Sequence, residues 1–256
     1  MNEEAPVSIV TGGGAGIGRA CVHVFARHGY RVIAADVDAA AATAAARTIG
    51  AEAGQDIVGL QCDVAKSADC LSLAAEALRR WGRIDALVAN AGVQTPGRLI
   101  DTTEDDWDRL IAVNLKGVAN VCRAVLPTMI ERRDGRIVLV SSTNALRSPA
   151  AMAFYDATKA GVLGLTRSLA VDHGADGVRV NAVCPGATLT DHHLRAAAAR
   201  GVSEADLRQR TRGYGLLGRV AEPAEIAAAI HFLASNNASF ITGATLVVDG
   251  GFTVCA

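Results

Sequence analysis

The feature that most constrains the fold lies at residues 7–26. They read Val7-Ser-Ile-Val-Thr-Gly-Gly-Gly-Ala-Gly-Ile-Gly18 and then Arg19-Ala-Cys-Val-His-Val-Phe-Ala26. A β-branched apolar run turns at once through glycines into a helical pattern, the strand–turn–helix context of a phosphate-binding loop. Gly12 permits the tight turn, and Gly14 lies within the loop. Gly16 and Gly18, on either side of Ile17, let a pyrophosphate and the neighbouring strand approach the helix N-terminus. The spacing is Gly-x-x-x-Gly-x-Gly, distinct from Gly-x-Gly-x-x-Gly.

A chain that opens this way is expected to alternate strands and helices, and it does. Strand patterns lie near 7–11, 31–35, 56–62, 85–89, 135–141, 178–183 and 245–248. Helical patterns lie near 16–28, 39–49, 67–81, 104–132, 153–174, 191–211 and 222–234. The alternation predicts an α/β fold, a Rossmann-type doubly wound parallel sheet of about seven strands with helices on both faces. No Pro- or Ser-rich linker interrupts it, so residues 1–256 are expected to form one domain. The second strand pattern ends at Asp36, placed to accept hydrogen bonds from the hydroxyls of an adenosine ribose and to repel a 2′-phosphate. Neither Val37 nor Ala15 offers a cation, which favours NAD over NADP, while Asp38 is placed to cap the next helix.

Tyr155 and Lys159 are four residues apart and so share one face of a helix. A cation that close favours the phenolate and makes a tyrosine fit for acid/base work. Ser142, at the end of the fifth strand pattern, is placed to hydrogen-bond a substrate oxygen in the crevice beyond the strand ends.

Composition excludes several classes. A net charge of −1 gives no basic field for nucleic acid. The apolar stretches read as shorter than a membrane span, and Met1-Asn-Glu-Glu is unlike a signal peptide. The six cysteines show no metal-ligand spacing and read as reduced packing residues, so a cytoplasmic protein without a metal site is expected.

From Val7 to Phe252 the chain resembles the short-chain dehydrogenases/reductases of about 250 residues. Thr11–Gly18 is similar to the family's cofactor loop, Asp63-Val64 to its adenine-holding pair, and Asn90-Ala91-Gly92 to the motif ending its fourth strand. Asn114, Ser142, Tyr155 and Lys159 match its catalytic tetrad in order. Pro185-Gly186, Thr188 and Thr190 resemble the segment around the nicotinamide carboxamide. Gly218-Arg219, Glu222-Pro223 and Val248-Asp-Gly-Gly251 also match. Thr158 departs, standing where serine is common. The resemblance implies that Lys159 also binds the nicotinamide ribose and that Asn114 anchors a water. It further implies that 188–215 is a substrate lid and that the assembly is a homotetramer, with one interface to which Leu126, Met129, Leu165 and Leu169 would supply apolar contact unless they belong to the core.

Substrate residues are expected among Gln94, Ser142, Asn144, Arg147, Met152, Tyr155 and His192, a mixture that suits a small secondary alcohol or ketone. A 3-oxoacyl carrier-protein reductase using NADPH is the alternative, for which Arg132 and Arg133 suit an acidic carrier but Asp36 and Val171 do not. A silent dinucleotide sensor is the third reading; an intact tetrad argues against it.

Overall fold

The computed structural model of the protein describes residues 5–255; the acidic start Met1–Glu4 and the side chain of His192 lie outside what it describes. Seven strands alternate with helices. They are β1 (Val7–Thr11), β2 (Arg31–Asp36), β3 (Ile57–Gln61), β4 (Ala86–Ala89), β5 (Gly135–Val140), β6 (Val178–Pro185) and β7 (Thr245–Val248). The helices are α1 (Gly16–Arg27), α2 (Ala39–Ala53), α3 (Ser67–Trp81), α4 (Glu104–Ile111), α5 (Gly117–Arg132), α6 (Ala153–His173), α7 (Asp191–Ala198), α8 (Glu204–Arg210) and α9 (Pro223–Ala234).

All seven strands join one sheet in the order β3-β2-β1-β4-β5-β6-β7, and every pairing is parallel. Strand side chains alternate between faces, so Ile9 and Ile33 point into one core and Val10 and Ala34 into the other. The first core is closed by α3, α5 and α6, the second by α1, α2 and α9. The strand order reverses between β1 and β4. In open parallel sheets that switch point opens a crevice beyond the strand C-termini, and Gly12, Asp36, Asp63, Asn90, Ser142 and Tyr155 all lie along it.

Local chemistry explains most helix boundaries. The Asp38 carboxylate caps α2 by accepting from the N–H groups of Ala40 and Ala41. Thr103 and Asp106 form a reciprocal capping box on α4, and Glu222 and Glu225 one on α9.

Four expectations are corrected. The helix expected over 104–132 is interrupted by a wider π turn at Ala112–Lys116, where the Gly117 N–H reaches back to the Ala112 carbonyl. The helix expected over 191–211 is two short helices, because the chain turns at Gly201 with φ +70° and Ser203 caps a new start at Asp206 N–H. Met129 is fully buried, so it belongs to the core and not to an interface. Glu104–Arg132 is long and apolar enough by composition to cross a membrane, contrary to the sequence reading. Its apolar residues Val118, Val121, Cys122 and Val125 are nevertheless packed into the first core.

Candidate active site

The glycine turn is built by contact as much as by conformation. Gly12 has φ +65°, and a Cβ on Gly18 would stand 1.9 Å from the Gly12 carbonyl oxygen. Helix α1 therefore starts directly against the turn. Ala15, its N-cap residue, offers no capping side chain. The cap comes instead from 175 residues away: Asp191 Oδ2 accepts the Gly16 N–H at 2.9 Å, and its Oδ1 pairs with Arg19 Nη2 at 3.2 Å. The N–H groups of Ile17 and Gly18 remain without intrahelical acceptors, as in the first turn of any helix. Two free donors at a helix N-terminus, reached without an intervening Cβ, fit a dinucleotide pyrophosphate.

The loop is braced from both sides. Asp36 Oδ2 accepts from Gly14 N–H at 3.0 Å. Asn90 Nδ2 donates to the Thr11 carbonyl at 3.0 Å, and Thr11 Oγ1 accepts the N–H groups of Asn90 and Ala91 at 3.1 Å each. These bonds hold the ends of β1, β2 and β4 in fixed relation.

The tetrad positions meet beyond β4 and β5. Lys159 is 4% exposed and Asn114 0% exposed, so neither can stay unpartnered. Lys159 Nζ donates to the Val140 carbonyl at 2.9 Å, 5.8 Å from the centre of the Tyr155 ring. Its backbone carbonyl accepts from Ser141 Oγ at 2.8 Å. The Asn114 amide closes on the backbone of Val93, accepting from its N–H at 2.8 Å and donating to its carbonyl at 2.9 Å. It also donates to Thr158 Oγ1 at 3.2 Å, and that hydroxyl donates to the Tyr155 carbonyl at 2.7 Å. Thr158 thus ties the π turn to α6; its hydroxyl does this work, which serine would share.

Ser142 lies two residues past β5, not at its end. It caps the tight turn Thr143–Ala145, its Oγ accepting the Asn144 N–H at 3.1 Å. With a lone pair so engaged, the Ser142 proton is free to point at an incoming oxygen.

A cleft of about 1280 Å³ runs along the strand ends. Of the positions read from sequence, it is lined by Gly12, Gly16, Ile17, Asp36, Asp63, Val64, Asn90, Ala91, Gly92, Gln94, Ser142, Asn144, Arg147, Tyr155, Lys159, Pro185, Gly186, Thr188 and Thr190. Gly14, Gly18 and Asn114 stand behind the wall and support it. Met152 does not line the cleft; it lines a smaller neighbouring hollow with Gly97 and Ala160. Asn144 reaches both, its Nδ2 held by Asp156 Oδ1 at 2.9 Å.

Sequence reasoning passed over Arg109 and Phe252 as lining residues; His193, Arg195 and Tyr214, which it placed in the charged segment 188–215, line the cleft as well, with Tyr214 stacked on Phe252 at 4.5 Å between ring centres. No periodicity marks them, since they come from chain ends and short helices; the aromatic pair joins positions 38 residues apart in sequence. Burial pushes the Tyr214 phenol up and keeps it neutral, and its oxygen accepts the Ala187 N–H at 3.1 Å. Cys62, also in the wall, is pushed up by its hydrogen bond with Cys70 and by burial, so it is no thiolate nucleophile. Among the described residues no group of His, Cys, Asp or Glu is arranged to hold a metal.

The family described as enoyl-(acyl carrier protein) reductase matches residues 12–253. The chain is 39% identical over 256 residues to oxidoreductase UcpA of Salmonella typhimurium (96% of this chain, 94% of that protein). It is 37% identical to the 3-oxoacyl-[acyl-carrier-protein] reductase FabG of Chlamydia muridarum (95% of this chain, 96% of that protein). It is 36% identical to meso-2,3-butanediol dehydrogenase of Serratia marcescens (99% and 96%). The crystal structure of levodione reductase superposes with a TM-score of 0.91 at 29% identity, covering 98% of both chains. With the glycine turn, the braced strand ends and the buried Tyr155–Lys159 face, these matches place the chain in the short-chain dehydrogenase/reductase family of nicotinamide-dinucleotide oxidoreductases acting on alcohol and ketone groups.

Proposed function

We propose that this protein is an NAD(H)-dependent oxidoreductase that interconverts a small secondary alcohol and its ketone, with Tyr155 as the acid/base. The observation that carries the reading is the pairing of Tyr155 and Lys159 on one face of α6 in the wall of the cleft that Ser142 also lines. When bound, the nicotinamide supplies or accepts a hydride at C4; the proton is handled by the protein. In the oxidative direction the Tyr155 oxygen takes the hydroxyl proton while Ser142 donates a hydrogen bond to the same oxygen. In reduction Tyr155 returns the proton. Lys159 Nζ lies 5.8 Å from the centre of the Tyr155 ring, on the same helix face, and Asn114, through Val93 and Thr158, fixes the backbone around the pair.

The preference for NAD rests on Asp36, a carboxylate at the cleft wall beside the exposed Val37. It accepts ribose hydroxyls and repels a 2′-phosphate. The likeness to FabG keeps the carrier-protein reductase as a second reading. Initial rates over a panel of small alcohols and ketones, and with a 3-oxoacyl thioester, each with NAD(H) and NADP(H), separate the two. Faster turnover of the thioester with NADPH favours the second; no turnover of any compound leaves the sensor. The assembly we propose is a homotetramer, supported by the apolar groove between α5 and α6 lined by Leu126, Ile130, Leu165 and Leu169. A monomeric mass in light scattering contradicts that.

A further inference from the structure

The charges lining the cleft are sorted by strand order. The acidic lining residues are Asp36, which ends β2, and Asp63, which follows β3. The lining arginines follow later strands, Arg109 after β4, the exposed Arg147 after β5 and Arg195 after β6, and the aromatic pair Tyr214–Phe252 beside Arg147 belongs to the segments after β6 and β7. From β2 to β5 is three strand spacings, roughly 14 Å at about 4.8 Å each. The end that holds Ser142 and Tyr155 is therefore well separated from the acidic end.

Arg147 is held, not loose. Its Nη1 donates to the carbonyls of Phe252 at 2.9 Å and Cys255 at 3.0 Å, and its guanidinium carbon sits 4.9 Å from the centre of the Phe252 ring. Phe252 is backed in turn by Tyr214. An arginine has five N–H donors, and both of these bonds use one nitrogen, Nη1. Among the described residues no carboxylate pairs with it. The two acids on the neighbouring elements are engaged elsewhere: Asp156 accepts from Asn144, and Asp249 accepts from Gly251, Thr253 N–H and the Thr253 hydroxyl. A fixed cation on an aromatic floor, in the same wall as the acid/base, is the arrangement that recognises a planar anion.

We infer that Arg147 is a specificity-determining residue, and that the alcohol or ketone this protein takes carries a carboxylate a short distance from the reacting carbon. The inference rests on the oxidoreductase reading above and narrows its substrate to hydroxy acids and oxo acids. The test compares acetoacetate with 4-hydroxy-2-butanone, which replaces the carboxylate by a hydroxymethyl group, in NADH-dependent reduction. The expected kcat/KM ratio favours acetoacetate by on the order of tenfold or more, the worth of a charge-assisted hydrogen bond. Arg147→Gln is expected to lower that ratio by about tenfold, through KM for the acid, and Arg147→Lys to retain much of it. Equal rates for the two ketones, or an unchanged ratio in Arg147→Gln, overturns the inference while leaving the oxidoreductase reading intact. If neither ketone is reduced, binding of acetoacetate to the protein with NADH, followed by saturation-transfer NMR, still decides it. Loss of binding in Arg147→Gln and its retention in Arg147→Lys support the subsite; equal binding by all three proteins overturns it.

Discussion

The two walls of the cleft are made differently. The wall at the ends of β1, β4 and β5 is buried and cross-tied: Asn90 to Thr11, Asn114 to Val93, Ser141 to Lys159, and Lys159 to Val140. The opposite wall, 188–215, is two short helices with mostly exposed residues, and only a few of its side chains, such as Leu189 and Ala197, are buried. It is pinned at its two ends. Asp191 holds the start onto α1 and Tyr214 the end onto Ala187, while Arg208 reaches Glu222 and Glu204 between them. Groups that need exact placement sit in the wall whose polar atoms have few alternatives. A lid over the cleft, as the resemblance implies for 188–215, would be drawn from such a part of the fold, where burial is least and local opening costs least.

The comparison breaks first at Tyr155. Tyr155→Phe keeps the ring in the rigid wall and removes one hydroxyl, so turnover is expected to fall by about 10²–10⁴-fold. NAD binding, followed by titration, is expected to be nearly unchanged. Substantial turnover by this variant would show that the cross-ties position some other acid. Next in size is Asp36→Ala combined with Val37→Arg. Losing a charged acceptor and gaining a cation is expected to shift the NADP-to-NAD ratio of kcat/KM by roughly ten- to a hundredfold toward NADP. Tighter NADP binding by the unaltered protein would already refute the assignment of Asp36.

The opposite wall is probed by hydrogen exchange. Amides of 188–215 are expected to exchange faster than those of 136–140 without cofactor and to gain protection with NAD. Asp191→Ala removes the remote cap on α1, worth about 1 kcal/mol, so the amides near 190–198 are expected to exchange roughly fivefold faster still. Equal protection of the two walls in the free protein would make 188–215 rigid scaffold. The smallest effect concerns the scaffold alone. Burial, and after it the neighbouring His28, stacked at 3.8 Å, hold the His231 pKa down at about 4. The unfolded chain takes up that proton first, near the ordinary 6.5, so stability contributed above pH 6.5 is lost as pH falls from there toward about 4. His231→Gln is expected to flatten the thermal-midpoint profile in that window.

The sequence is informative where burial repeats. Continuous β-branched apolar runs and glycines at a strand end are imposed by a parallel sheet covered on both faces, which is why all seven strands could be located within a few residues of their ends. The clustering of Asn114, Ser142, Tyr155 and Lys159 could be expected because these residues have chemical identities that few structural positions require. What the sequence hides are contacts between segments with no shared period. The Asp191 cap spans 175 residues, and the Arg147–Phe252 contact 105. The π turn at Ala112–Lys116 leaves the apolar pattern of a continuous helix, and Gly201 only acquires its left-handed backbone from the turn around it. Met152 looked like a pocket residue because it lies near Tyr155 in sequence, but it precedes α6 and faces the neighbouring hollow.

Hydride transfer itself is the direct test of the central claim, that this cleft interconverts alcohols and ketones with Tyr155 moving the proton. NADH deuterated at C4 is incubated with a panel of small ketones, acetoacetate and 4-hydroxy-2-butanone among them, and the product is read by mass spectrometry and NMR. The expected result is deuterium on the carbinol carbon of a product alcohol, formed by the unaltered protein and slowed in Tyr155→Phe by the same factor as turnover. Absence of label from every product with either deuterated NADH or deuterated NADPH, or equal labelling rates in Tyr155→Phe, would contradict the account.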